Sequence, residues 1–370
     1  MTDLPSVLAE HEIEPIPGAP RAAATVRPPT RDALAETLAA CSADGLAVAV
    51  WGGGTHQGIG HRVAADVVLS TTGLDRVTDH QPEDLTLTVE AGVTLAAVAD
   101  VLGPHRQFAV LPETSPEATI GGVLAAGASG YRRLRYGPTR DHVLEVTLVT
   151  GDGRLVRAGA RVVKHVQGYD LMRLVCGSLG SVGVVVEACL KLWPEPPALA
   201  TVAVADPTAA LATAFRPQAV LETPAGTSVM LAGTPEEVAA QAADLGGDPS
   251  EGHRWPDPPD PDTERGRWSI RVPAPAVPDV VSALPAGSSF VAEHGVGVVT
   301  AALGGPDAAD LRVRAERLGG SVVLLDGPDH LYADPGPWGA DPPALGLQRR
   351  IVARFDPDRV LNPGRPAGGL

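Results

Sequence analysis

Cysteine is scarce here: Cys41, Cys176 and Cys189 are the whole supply in 370 residues. An odd count without C-x-x-C spacing argues against a disulfide framework or a structural zinc site. It also leaves no cysteine set for an iron–sulfur cluster. Aromatic residues make up only 4%, too few for a surface that stacks single-stranded bases. Positive charge is in deficit, with 29 Lys and Arg against 44 Asp and Glu and a net charge of −15. Such a balance disfavours a phosphodiester backbone as partner. It does not exclude a nucleotide cofactor, whose phosphates are held by backbone amides and helix N-termini. No apolar run approaches the roughly 18 residues that mark a membrane-spanning helix. Residues 1–18 are polar and acidic rather than a secretory signal, so a cytoplasmic protein is expected, held at most peripherally at the inner membrane through partners. Also missing is any G-x-G-x-x-G, the phosphate fingerprint of the Rossmann fold.

What is abundant is glycine, 42 residues, in a chain that is 44% hydrophobic and therefore globular in composition. The most informative stretch runs from Leu46 to Gly60. A short apolar strand, Leu46–Trp51, ends in Gly52, Gly53 and Gly54, followed by Thr55, His56 and Gly60. Such a loop turns with positive φ, approaches a ligand closely and presents successive N–H groups to an anion. A helix from Arg31 to Cys41, capped by Thr30, precedes it. A second strand, Asp66–Ser70, follows the loop where a Rossmann unit would place a helix.

Further along, Leu85, Leu87 and Val89 alternate with polar residues as a half-buried strand, and a helix carries Leu95, Val98 and Leu102. The stretch Leu111–Gly130 is nearly free of large side chains after Gly121, with Thr119 placed to cap a short helix through Gly122. Two glycine-rich loops with β structure between them predict a ligand lying against both. Tyr131-Arg-Arg-Leu-Arg-Tyr136 is a basic patch in an acidic chain, and Arg132, Arg133 and Arg135 are candidates for a substrate carboxylate. Val143–Thr150 and Leu155–Ala158 read as a hairpin across Gly151-Asp-Gly153. A third glycine-punctuated turn, Gly177 to Gly183, runs into an apolar strand ending at Pro194.

Six ordered motifs carry a resemblance: Gly-Gly-Gly-Thr, Ala-Thr-Ile-Gly-Gly, Ala-Ser-Gly, Tyr-Gly-x-x-Arg-Asp, Lys-x-x-x-Gly-Tyr-Asp-Leu and Gly-Ser-x-Gly-x-x-Gly-Val. Together they are similar to the PCMH-type FAD-binding domain of the vanillyl-alcohol oxidase superfamily. Residues 163–178 look most like the FAD-binding subunits of bacterial glycolate oxidases. Phe355–Gly364 resembles the closing motif of flavin-linked 2-hydroxyacid dehydrogenases. The resemblance implies an α+β, two-lobed FAD domain over 28–197 after a lead-in of 1–27, a short α/β cap over 198–340, and a return segment over 341–370. It puts Gly52, Gly53, Gly54, Thr55, Gly60, Pro112, Glu113, Thr119, Gly121, Gly122, Gly127, Asp141, Gly177, Gly180, Gly183 and Asn362 at the cofactor. His56 joins them, because some members of the superfamily attach FAD to a histidine in this loop.

The middle of the chain, 198–340, is less periodic. Strands are expected at Val229–Gly233, Arg267–Val272 and Val296–Leu303, helices near Pro235–Leu245 and Asp307–Leu318, and an exposed acidic loop at Pro256–Asp262. Glu293-His-Gly resembles a segment of the full-length dehydrogenases in which Glu ligates a metal and His acts on the substrate hydroxyl. Those enzymes also carry a His-x(6)-His pair, which this chain lacks, so no metal site is expected. His294, Arg135 and Lys164 form the candidate catalytic set. The expected function is FAD-dependent oxidation of a small 2-hydroxy acid such as glycolate or D-lactate. A non-catalytic FAD-binding subunit is the alternative. Partners would be a second flavoprotein and an iron–sulfur subunit. A UDP-sugar reductase built on the same domain is disfavoured by the 163–178 motif and the C-terminal Asn362-Pro-Gly.

Overall fold

The computed structural model describes residues 5–161 and 169–370. Thr30 caps the helix Arg31–Ala43, its Oγ1 accepting from the Ala33 N–H at 3.1 Å. Leu34, Leu38 and Cys41, one helical turn apart, pack on a three-stranded parallel sheet ordered Ala24–Val26, Val67–Ser70, Val48–Trp51. The residues before 28 are thus more than a lead-in: they supply an outer strand, and Leu8 of the helix Ser6–Ala9 is fully buried against it. Three residues followed by Arg-Pro-Pro offer no period from which to read a strand.

The second lobe is an antiparallel sheet ordered Val77–Gln81, Thr86–Glu90, Val184–Pro194, Val143–Val149, Leu155–Gly159, with Gln107–Ala109 added to the far end of Val184–Pro194. The helices Leu95–Leu102 and Ile120–Ala126 contribute to its core. Val184–Pro194 serves both lobes. Val185 joins the core of the second lobe, while Val184 and Val186 join that of the first, as side chains alternate across a strand; a register irregularity between Val185 and Glu187 then resets the phase, so that Ala188 also faces the second lobe.

Beyond Pro194 the chain builds an eight-stranded antiparallel sheet, ordered Pro249–Glu251, Ala198–Val204, Gly226–Gly233, Ala219–Thr223, Phe290–Glu293, Val298–Leu303, Gly266–Arg271, Ser321–Asp326. Three of these strands were legible in the sequence. One face is covered by helices, among them Gly305–Arg317, and buries Trp268, Ile270, Val299, Ala301 and Leu324. The alternate residues Arg267, Ser269, Arg271, Val298 and Thr300 face the glycine loops of the first two lobes. The architecture is α+β, as expected.

The helix Leu345–Phe355 then sends the chain back to the first lobe. Asp356 is 1% exposed, and its carboxylate accepts from the N–H groups of Val360 and Leu361 at 3.0 and 2.9 Å. So fixed, the segment zips onto strand Val48–Trp51: Val48 N–H donates to Val360 at 2.7 Å and Asn362 N–H donates to Val48 at 2.8 Å. Among the described residues, no helix is long and apolar enough to cross a membrane.

Candidate active site

Three glycine-rich turns, far apart in sequence, converge on one cleft of about 570 Å³. Gly52–Gln57 form one wall, Gly121, Gly122, Ala125 and Ala126 a second, and Leu179, Gly180 and Gly183–Val185 a third. The close packing needs glycine. A Cβ on Gly53 would sit 2.6 Å from the Glu117 carbonyl oxygen, and one on Gly121 would sit 2.8 Å from the Ala91 Cβ. Gly54 and Gly180 have φ of +81° and +76°, which an L side chain adopts only with strain. Thr119 does not line the cleft. Its hydroxyl caps the helix Ile120–Ala126, accepting from Gly122 N–H at 3.3 Å, and occupies the space that a side chain on Gly52 would need.

Two residues from the C-terminal segment complete the cleft. Asn362 is 1% exposed; its Oδ1 accepts from Val50 N–H and its Nδ2 donates to the Leu179 carbonyl, both at 3.0 Å. One amide therefore ties the first strand to the third glycine turn. Arg365 donates from Nη2 to the His56 carbonyl at 2.8 Å and from Nε to the Ile59 carbonyl at 3.0 Å. Burial lowers its guanidinium to about 10, still fully charged at neutral pH, so the cleft holds a fixed cation. The sequence motif stopped one residue short of it. Gln57, also outside the expected set, donates to the Val50 carbonyl at 3.0 Å and lines the same cleft. A wider cleft behind Trp51 shares Gln57, Asn362 and Arg365.

The other expected cofactor residues are placed differently. Gly60 packs its backbone on the Arg365 carbonyl, and Gly177 lies against Gly127. Asp141 pairs with Arg173 at 3.2 Å on the surface. Pro112, Glu113 and Gly127 line not the glycine cleft but a second space beside it. This chamber, of about 1000 Å³, shares Thr55, His56 and Ala126 with the glycine cleft and is roofed by the eight-stranded sheet.

The chamber is cationic. Arg133, Arg267 and Arg271 line it together with Glu293 and Tyr131. Arg267 is held by the Pro259 carbonyl at 2.6 Å and Asp260 at 3.1 Å, so the acidic loop folds inward, with Pro258 on the chamber wall and Pro259 buried. The Arg133 and Arg271 guanidinium groups have no hydrogen-bond or ion-pair partner among the described residues. Arg271 stays accessible to the chamber, yet its enclosure by protein, and then the nearby Arg133, lower its pKa. Glu293 is 7% exposed, and its Oε2 has no hydrogen-bond partner among the described residues. Burial pushes its carboxyl up to about 8 against the pull of Arg133 and Arg271. Glu113 accepts from the N–H groups of Tyr131 and Arg132 at 2.8 and 3.3 Å, and burial raises its pKa too. His56 stands at the junction of cleft and chamber with Nδ1 2.8 Å from Thr55 Oγ1. Burial first, then Arg365 and Arg267, lower it to about 4.

The expected catalytic set is not assembled here. Arg135 donates to the Arg216 carbonyl at 2.6 Å, away from both spaces, while its neighbour Arg133 enters the chamber. Lys164 lies outside the described residues. His294 is buried on the opposite side of the sheet, its Nε2 2.7 Å from Glu222 Oε2. The register explains this. Leu221 is paired with Glu293 and Glu222 with Ala292, so Glu293 points to the chamber while Ala292, Glu222 and His294 point to the helices. Among the described residues, no group of three or more His, Cys, Asp or Glu is arranged to hold a metal.

Residues 22–159 match the FAD binding domain family, and the fold around the glycine cleft is of the PCMH type. The chain is a flavoprotein whose cofactor is FAD. The cleft fits that group: glycine walls that a Cβ would fill, apolar Leu179 and Val184, and a buried arginine for a phosphate or carbonyl oxygen. Its curated relatives include glycolate oxidase subunit GlcD of Bacillus subtilis, 34% identical over 47% of this chain and 37% of the relative. D-2-hydroxyglutarate dehydrogenase of Xanthomonas citri is 40% identical over 42% of this chain and 34% of the relative. Glycolate oxidase subunit GlcE of Escherichia coli is 38% identical over 32% of this chain and 35% of the relative. In each case the match spans less than half of the relative's own length.

Proposed function

We propose that this flavoprotein oxidises a small 2-hydroxy acid, of the size of glycolate or D-lactate, in the chamber beneath the eight-stranded sheet. One observation carries the reading: the chamber adjoining the FAD cleft holds two guanidinium groups, Arg133 and Arg271, without protein partners among the described residues. A planar guanidinium grips a carboxylate with two parallel hydrogen bonds. FAD, when bound, supplies the hydride acceptor. The chain's own residues hold the carboxylate, fix the hydroxyl and exclude water, and the cap over 198–340 and the return segment over 341–370 close the site. The relatives named above point the same way. The test is anaerobic addition of glycolate, D-lactate or D-2-hydroxyglutarate to the FAD-loaded chain while the flavin absorbance is followed. Bleaching by at least one of them, lost by at least about 100-fold in Arg271→Ala, is the expected result. An unbleached flavin with all three overturns the reading.

A second reading has its own support. His294 faces away from the chamber, and subunits of glycolate oxidases are among the relatives. On this reading the chain is a non-catalytic FAD-binding subunit of a glycolate-oxidase-like complex. Either way electrons leave through partners, a second flavoprotein and an iron–sulfur subunit, with the assembly cytoplasmic and at most peripheral at the inner membrane.

A further inference from the structure

We propose that Glu293 is the catalytic base of this chamber, the group that takes the substrate's hydroxyl proton. The inference rests on the oxidation proposed above and goes beyond it by assigning the proton to a carboxylate rather than to His294. Three observations converge on Glu293. It lies on the chamber side of the sheet, in the space that shares Thr55, His56 and Ala126 with the FAD cleft. Its Oε2 is buried without a hydrogen-bond partner among the described residues, a costly arrangement unless a ligand supplies the missing donor. The guanidinium groups of Arg133 and Arg271 line the same chamber, Arg271 across Val298 from Glu293, so a carboxylate gripped by either arginine holds its adjacent carbinol hydroxyl in the space that the carboxyl faces.

In the step, the substrate O–H bond breaks and an O–H bond forms on Oε2 of Glu293. The Cα–H bond breaks with its electron pair, which leaves as hydride to oxidised FAD, and the carbon–oxygen bond becomes a carbonyl. The products are a 2-oxo acid, reduced FAD and protonated Glu293, which releases its proton to solvent.

The groups facing Glu293 set its ionisation. Arg133 from the helix Arg133–Tyr136 and Arg271, two strands along the sheet across Val298, favour the carboxylate, and Glu113 disfavours it. Arg267, Tyr131 and His56 also line the chamber. Desolvation dominates and pushes Glu293 up to about 8. A base must be ionised to act, so the rate of flavin reduction rises with pH and levels off above that value.

The experiment compares the FAD-loaded wild type with Glu293→Gln, Glu293→Asp and His294→Gln. Flavin reduction is measured against pH, and pyruvate binding is measured by calorimetry in buffers of different ionisation enthalpy. Glu293→Gln is expected to keep its FAD and bind pyruvate within about threefold of wild type, while reduction slows by about 10²–10⁴-fold. Glu293→Asp restores part of the rate and the rising limb, and serves if the glutamine variant fails to fold. Wild type takes up a proton on binding pyruvate near pH 8, because the new anion raises Glu293 further, and Glu293→Gln does not. His294→Gln keeps the limb. The assignment is overturned if Glu293→Gln reduces FAD at the wild-type rate, if it loses pyruvate binding in proportion to rate, or if His294→Gln abolishes the limb. Should no 2-hydroxy acid bleach the wild type, the oxidation reading falls by itself. The proton count then decides Glu293: uptake that the glutamine variant lacks sustains it as the chamber's proton acceptor, and equal counts refute it.

Discussion

Asn362 and His56 show how single side chains set the cofactor cleft. The Asn362 amide makes two buried hydrogen bonds, to Val50 and Leu179. Truncating it strands a donor and an acceptor, each costing about 1–3 kcal/mol when left unsatisfied. Asn362→Ala is therefore expected to lower stability by about 2–4 kcal/mol in urea titrations and to release FAD more readily. His56, lowered to about 4, sits below its usual 6.5, so the unfolded chain binds the proton more tightly than the folded one. Stability is then complete above pH 6.5 and falls as pH drops toward 4, by up to about 3 kcal/mol from this residue. His253, also lowered to about 4 by burial, adds to the same window. His56→Asn is expected to remove its share of that acid sensitivity, seen as a flatter dependence of the urea midpoint on pH between 6.5 and 4.

At the scale of elements, the glycine turns work through what they exclude. Gly53→Ala places a methyl against the Glu117 backbone, which cannot swing aside as a flexible side-chain end would. Gly121→Ala pushes the helix Ile120–Ala126 off Ala91. Both are expected to fold with reduced stability, by about 1–3 kcal/mol, and to purify with little FAD, read as the ratio of flavin to protein absorbance. These turns were legible in the sequence because they recur in a fixed order with other motifs, one glycine cluster alone being a weak signal. The sheet above them was mostly not legible. Ala198–Val204 and Ala219–Thr223 are short, rich in alanine or mixed in polarity, and stabilised by neighbours up to about 70 residues away. Arg133 and Arg135 were indistinguishable in a basic patch. Only the turn of a four-residue helix sends one to the chamber and the other to the Arg216 carbonyl.

On the scale of the whole molecule, the cofactor cleft is closed by the far end of the chain. Asp356 turns the segment, Leu361 pairs with Val48, and Asn362 and Arg365 enter the cleft. A chain ending at residue 355 is expected to retain folded secondary structure by circular dichroism and yet to lose FAD on gel filtration. A FAD-retaining truncation would show that the three glycine turns suffice. The sequence disclosed this return through its Asn-Pro-Gly motif, but not that Arg365, one position beyond, is the cation it delivers. The Glu-His-Gly segment was misleading for a different reason: residue types can be read from a motif, whereas the face each residue takes depends on strand pairing.

The roof of the chamber has a consequence for how such a protein changes over time. Positions 267, 269, 271, 298 and 300 line the chamber, while 268, 270, 299 and 301 between them hold the fold. Variation for substrate choice and selection for foldability therefore act on separate, interleaved letters of the same strands. On the proposed function, a library randomised at the chamber-facing positions alone should yield mostly folded proteins with altered acid preference, so that new specificities would lie within a few substitutions of this sequence.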